Sequence, residues 1–182
     1  MVLKKYLYLF MPSFHQTIDK ITRSIEDVAT GFSLQTSVLP VTKEDLKTVL
    51  KKNGWFFSWK RELNRNPNVF RLVISKQPAI IQGLISYEVM QGYLFMPLVE
   101  AAPHNFGTNK QYLGVLPNLV AFVCKQSYDM GFEGVVSFKS KTKLITHYKD
   151  KLGAELIGRF GEMAIFSNAA KKLVNSYYNN YI

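Results

Sequence analysis

The sequence predicts an α/β (α+β) protein in which a mixed, mostly antiparallel central sheet is flanked by helices. Three observations predict it. Val69 to Ser75, Ala79 to Val89 and Gly92 to Ala102 read as extended runs, and the breaks near Lys76-Gln77-Pro78 and Gln91-Gly92 are short enough for hairpins. Around Pro117 the apolar period changes to 3.6, with Leu116, Leu119, Val120, Val123, Ser127 and Met130 on one stripe that Gly131 stops. After that helix, Val135 to Phe138 reads as a short buried strand, Lys143 to Lys151 as a helix and Met163 to Phe166 as a final strand.

The remaining elements follow from local pattern. Leu3 to Met11 is apolar and aromatic enough for a strand. Ile18, Ile21, Ile25 and Val28 then recur at helical spacing, with Gly31 placed to end that helix. Phe32 to Val41 reads extended. Thr42 can cap a helix whose first turn holds Glu44 and Asp45, acids that suit the positive end of the helix dipole. Its inner face is Leu46, Val49 and Leu50, and Asn53-Gly54 closes it. Trp55 to Lys60 reads as an extended or loop segment, and Asn64 to Asn68 as a turn. Leu144, Ile145, Tyr148 and Leu152 face inward from the penultimate helix. Ser167 caps a last helix that uses Leu173, Val174 and Tyr177. No repeat, low-complexity tract or linker interrupts the chain, which predicts one continuous domain.

Bulk properties narrow the function classes. At 182 residues with 47% hydrophobic and 14% aromatic content the chain can bury a core, which excludes global disorder. Its one cysteine, Cys124, precludes an intrachain disulfide and falls within an apolar helical pattern, so a buried inert thiol is expected. Lys4-Lys5 and the apolar run after them are cut short by Pro12 and lack a small-residue cleavage site. A cytoplasmic protein without a membrane span is the expectation. The net charge of +10 and pI near 9.6 favour an anionic partner. The cations are spread rather than clustered, through Lys47, Lys51, Lys52, Lys60, Arg61, Arg65, Arg71, Lys76, Lys139, Lys141 and Lys143. His15, His104 and His147 have no metal-ligand spacing, so no metal is expected.

The chemistry lies between Tyr93 and Phe166. There a strand ends at Val99-Glu100-Ala101-Ala102-Pro103, a loop carries Gln111-Tyr112-Leu113-Gly114-Val115-Leu116, and a helix begins. Farther on come Tyr148 and Leu152-Gly153-Ala154. A glycine opening a helix after an extended segment leaves free backbone N–H groups that suit phosphate. In order and spacing, residues 69 to 168 resemble the GNAT superfamily of acetyl-CoA-dependent N-acyltransferases, as a divergent member. The resemblance implies a sheet whose fourth and fifth strands splay apart, with the pantetheine arm of acetyl-CoA, the cosubstrate, in the gap. It divides the chain into acceptor-side elements over 1–68, an acyl-CoA-binding core over 69–168 and a C-terminal helix over 169–182.

Carried over residue by residue, the resemblance places the Val99 N–H at the thioester carbonyl and pairs Ala101 with the pantetheine amides. Gln111-Tyr112-Leu113-Gly114 matches the family's Gln-x-x-Gly, so the amides of Leu113, Gly114, Val115 and Leu116 meet the pyrophosphate, with Lys110 adding charge. Leu116 stands where the family has Gly or Ala, Lys141 where it has Asn, and Ala154 where it has Phe. Tyr148 takes the place of the tyrosine that protonates the leaving thiolate. Tyr148 also shares a stripe with Leu144, Ile145 and Leu152, so a core tyrosine is the competing reading. Glu100 is the candidate base, with Glu88 and His104 as alternatives.

The expected activity is direct transfer of an acetyl group to an amine of a small molecule, a protein or an aminoacyl-tRNA, by a monomer or homodimer. Trp55, Trp59, Lys60, Arg61 and Arg65 would present an aromatic, basic face to a nucleic acid. The alternative is a GNAT-like module without turnover that binds nucleic acid or another anionic partner. A partner-binding protein that meets an acidic surface is the residual reading.

Overall fold

The computed structural model describes residues 24–178. The expected strand Leu3 to Met11 and the start of the helix read from Ile18 and Ile21 lie outside them. From Ile25 onward that helix is replaced by a hairpin of β1 (Ile25–Asp27) and β2 (Ser33–Leu34). The Asp27 side chain decides the matter locally. Its Oδ1 accepts the N–H groups of Ala29 and Thr30 at 2.9 and 3.0 Å, while its carbonyl accepts from Gly31 at 2.8 Å. An Asp that satisfies the backbone just ahead of it makes a turn cheaper than a helix.

β3 (Thr36–Pro40), β4 (Val69–Ile74), β5 (Gln77–Ser86) and β8 (Val99–Ala101) form a four-stranded sheet with each neighbour antiparallel, as the extended runs predict. A second sheet has the order β11 (Glu155–Leu156), β12 (Glu162–Ile165), β10 (Val136–Lys139), β7 (Leu94–Met96) and β6 (Glu88–Val89). Its one parallel pair is β7 with β10. The two sheets run into each other, because β5 leads through Tyr87 into β6, and β7 leads through Pro97-Leu98 into β8. Proline can sit at such a break because no ladder needs its missing N–H there.

Between β3 and β4 the expected helix condenses to two 3-10 turns, Asp45–Lys47 and Lys51–Asn53. Thr42 and Asp45 still bond reciprocally: Asp45 Oδ2 accepts the Thr42 N–H at 2.8 Å, and Thr42 Oγ1 accepts the Asp45 N–H at 3.3 Å. The segment read as a loop and a turn contains a helix, α1 (Trp59–Arg65). With seven residues it is too short for apolar periodicity to reveal. The later helices are α2 (Val115–Asp129), α3 (Ile145–Leu152) and α4 (Ser167–Tyr177). Met130, expected on the inner stripe of α2, falls beyond its end and is exposed.

Two apolar clusters clothe the four-stranded sheet. On one face Leu72, Ile74, Ile85 and Ala101 pack with Val115, Leu119 and Phe122 of α2 in a cluster that continues to Val136, Met163 and Leu173. On the other, Val69, Leu84 and Ala102 pack with Leu46, Val49, Trp55 and Trp59. Gly83 fixes how closely α2 approaches. A Cβ there would lie 2.8 Å from Val115 Cγ1, 2.9 Å from the Glu100 carbonyl and 2.9 Å from Leu119 Cδ1. Gly83→Val should therefore destabilise the fold by roughly 1–3 kcal/mol through overpacking. A denaturant midpoint that falls with unchanged m checks this; an unchanged midpoint contradicts it.

Candidate functional site

β7 and β10 run in register as Leu94↔Val136, Phe95↔Ser137 and Met96↔Phe138. Past Met96 they part. β8 continues the line of β7 but pairs only with β5, and among the described residues its other edge has no strand partner. The bonding alternation shows which groups that edge presents. Ala102 N–H donates to Gln82 and the Leu98 carbonyl accepts from Ser86, both at 2.9 Å. The even-numbered residues of β8 thus bond β5, and the backbone groups of Val99 and Ala101 turn to the vacant side. This is the splay expected between the fourth and fifth strands.

The chain reaches α2 through a loop held on both sides. Pro103–Asn105 makes a 3-10 turn, and Tyr112–Leu113 forms a short strand, β9, antiparallel to β1. On one side Asn105 Oδ1 accepts the Tyr112 N–H at 3.1 Å, and Asn105 Nδ2 donates to Gln82 at 2.9 Å (side chain) and 3.1 Å (carbonyl). His104 Nε2 lies 2.9 Å from the same Gln82 Oε1, an amide oxygen that can only accept, so Nε2 is the donor. Burial holds His104 below its ordinary value. Nothing in the sequence marks Gln82 or Asn105, which are distant in sequence and unremarkable in type.

Gly114 ends the loop at φ 84°, a left-handed conformation that glycine adopts without strain. The first turn closes with the Asn118 N–H on the Gly114 carbonyl at 3.1 Å. The amides of Val115 and Leu116 have no acceptor among the described residues, and Pro117 has no N–H to offer. Val115 and Leu116 are buried at 1% and 3% exposure, with their side chains in the main apolar cluster. The Leu116 side chain therefore points into the core rather than across the helix start. Gln111 donates from Nε2 to the Tyr112 hydroxyl at 3.0 Å. Lys110 is half-buried in the same loop.

Glu100 faces away from the gap. It is 1% exposed, and its carboxylate accepts the Phe56 N–H at 2.6 Å, the Trp59 Nε1–H at 2.6 Å and the Phe57 N–H at 3.4 Å. Burial raises its pKa, against the opposing pull of these donors. Both oxygens are engaged in fastening residues 56–59 to the back of β8. Phe56 then meets Phe106 edge-on at 5.2 Å, which ties that segment to the loop after β8.

Tyr148 belongs to α3 and packs on the main apolar cluster. Its ring packs edge-on against Phe138 of β10 at 5.3 Å. Among the described residues its hydroxyl has no hydrogen-bond partner, and burial pushes its pKa up to about 12. It stays protonated at neutral pH. Trp55 and Trp59 are 7% and 0% exposed, so neither can stack on a base. Cys124 is fully buried, with its thiol pushed up to about 12. No group of three potential metal-ligating side chains occurs, and no helix is long and apolar enough to cross a membrane, among the described residues. A cleft of about 430 Å³ lies between β3, α2 and the end of α4; none of the predicted site residues lines it.

No protein-family model and no curated protein matches the sequence. Solved structures do match by fold. A spermidine N-acetyltransferase chimera from Vibrio cholerae and hSSAT superposes with a TM-score of 0.56 at 12% identity, over 76% of this chain and 99% of that one. The ribosomal-protein-S18-alanine N-acetyltransferase from Escherichia coli superposes with a TM-score of 0.51 at 13% identity, over 72% of this chain and 90% of that one. At such identities the likeness establishes the fold, and the chain has the GNAT fold.

His104 yields a pH signature. Its folded pKa lies below the ordinary 6.5, so on acidification the unfolded chain takes up the proton first. The stability that neutral His104 contributes is intact above 6.5 and lost as pH falls from there through the folded value. Denaturant midpoints across that window should drop more steeply in the wild type than in His104→Gln. Parallel profiles would contradict the neutral, buried imidazole.

Proposed function

We propose that this chain is a divergent GNAT N-acyltransferase that moves an acetyl group from acetyl-CoA directly to an amine. The observation that carries the reading is the edge of β8 and the amides of Val115 and Leu116 after it, which have no strand partner and no acceptor among the described residues. A linear, amide-bearing arm can pair with such an edge as an added strand does. A pyrophosphate can take the N–H groups at the start of α2, where the helix dipole also favours negative charge.

In the reaction the neutral amine attacks the thioester carbonyl carbon, and the carbonyl electrons move to oxygen. The Val99 N–H, directed into the gap, stabilises that oxyanion. As the tetrahedral intermediate collapses, the C–S bond breaks and the electron pair leaves on sulfur. The Tyr148 hydroxyl donates a hydrogen bond or a proton to that thiolate; burial keeps the hydroxyl protonated, and it is unpartnered among the described residues. The amine's proton passes to water. Glu100 serves here as a positioning residue, since its oxygens already accept from Phe56, Phe57 and Trp59. The burial of Trp55 and Trp59 removes the aromatic part of the face expected for a nucleic acid and leaves Lys60, Arg61 and Arg65 exposed; the acceptor class is an amine of unspecified parentage.

Acetyl-CoA at about 100 times its Kd should stabilise the wild type by roughly 2.7 kcal/mol, read as a rise in Tm. Gly114→Trp, which fills the helix start, should abolish that rise. Thiol release with a panel of amines should fall about 10²-fold in kcat for Tyr148→Phe with acetyl-CoA affinity unchanged. No thermal shift of the wild type at millimolar acetyl-CoA would overturn the reading.

A further inference from the structure

The β1–β2 hairpin belongs to neither of the two larger sheets, yet its first strand, β1, pairs with β9 immediately before Gly114. The Val28 N–H donates to the Gln111 carbonyl at 3.0 Å, and Glu26 stands opposite Leu113. Bonding alternates along an antiparallel pair, so the backbone of Leu113 faces β1 as that of Gln111 does. Leu113 therefore spends its amide on the hairpin, which corrects the expectation that it would join the pyrophosphate contacts. Tyr112, between them, turns its N–H the other way to Asn105. A two-residue strand has little intrinsic preference for one conformation. Here every N–H from Gln111 to Leu113 is assigned, one to the His104 carbonyl, one to Asn105 and one to β1.

We infer that the hairpin is a clamp for the proposed acetyl-CoA site, and that Asp27 is the residue that sets it. The inference rests on the acyltransferase reading above. Asp27 Oδ1 accepts the Ala29 and Thr30 amides, and the Asp27 N–H and carbonyl bond Phe32 and Gly31. Those bonds fix where β1 ends and therefore its register on β9. Ile25, fully buried in the main cluster with Tyr112, anchors the same strand to the core. Loss of the Asp27 turn thus frees the end of β1 without removing its anchor. The first consequence is a loosened β9, and the second is a helix start whose two open amides are no longer held in place. Asp27 touches no substrate and acts only through the register of β1, β9 and Gly114.

The test compares the full chain with Asp27→Ala and Asp27→Asn. Asn keeps an Oδ1 acceptor, whereas Ala does not. Amide hydrogen exchange without ligand should show Leu113 deprotected in Asp27→Ala and as protected as wild type in Asp27→Asn. Acetyl-CoA Kd should rise about tenfold in Asp27→Ala and return to within about twofold of wild type in Asp27→Asn, with kcat at saturating acetyl-CoA unchanged in both. Wild-type protection of Leu113 in Asp27→Ala, or an unchanged Kd, would overturn the clamp while leaving the acyltransferase reading intact. A wild type that fails to bind acetyl-CoA would overturn both.

Discussion

The structure turns on a pairing that stops. β7 and β10 are bonded as parallel neighbours through Met96 and Phe138, and past that point the chain continues into β8, which pairs with β5, while β10 goes its own way. A sheet edge opened inside a fold leaves backbone donors and acceptors without partners, which is costly unless something else supplies them. Among the described residues, the groups left without a strand partner are those of Val99 and Ala101. The same strand that offers them is held from behind by the Glu100 carboxylate and from the side by Gln82, whose carbonyl accepts from Ala102. The edge is free but not loose.

That rigidity reaches the helix start by two routes. One runs from Gln82 through Asn105 to the Tyr112 amide. The other runs from the Asp27 turn through β1 to Gln111 and Leu113. Gly83, beside Gln82, lets the first turn of α2 lie against the sheet, so strand edge and helix start share a single reference. Preorganisation of this kind lowers the ordering cost of binding, because the loop does not have to be assembled around the ligand. Glu100 belongs to the same logic: it fastens Trp59 and the backbone of Phe56 and Phe57 to the strand they cover.

Much of this was legible in the sequence, and the reasons differ by element. The meander and α2 were readable because long runs carry their period openly: Leu119, Val120 and Val123 are all fully buried, as the stripe predicts. The splay was an implication of the family resemblance that Val99, Gln111, Gly114 and Tyr148 carried, not something their spacing alone shows. α1 was missed because its stability comes from Trp59 bonding a carboxylate forty-one positions away, which no local pattern records. Ile25 and Val28 kept helical spacing while the Asp27 side chain enforced a turn, so a local hydrogen bond overrode periodicity. Glu100 was read as the candidate base, but its direction depended on which face of β8 it occupied. The Gln82–His104–Asn105 group had no signal, because an amide's role is set by its neighbours in space.

A crystal structure of the chain with coenzyme A tests the open edge most directly. The pantetheine arm should run beside Val99 and Ala101, with the pyrophosphate on the amides of Val115 and Leu116. Coenzyme A lodged elsewhere, or β8 and β10 drawn together with no occupant at saturating ligand, would contradict it.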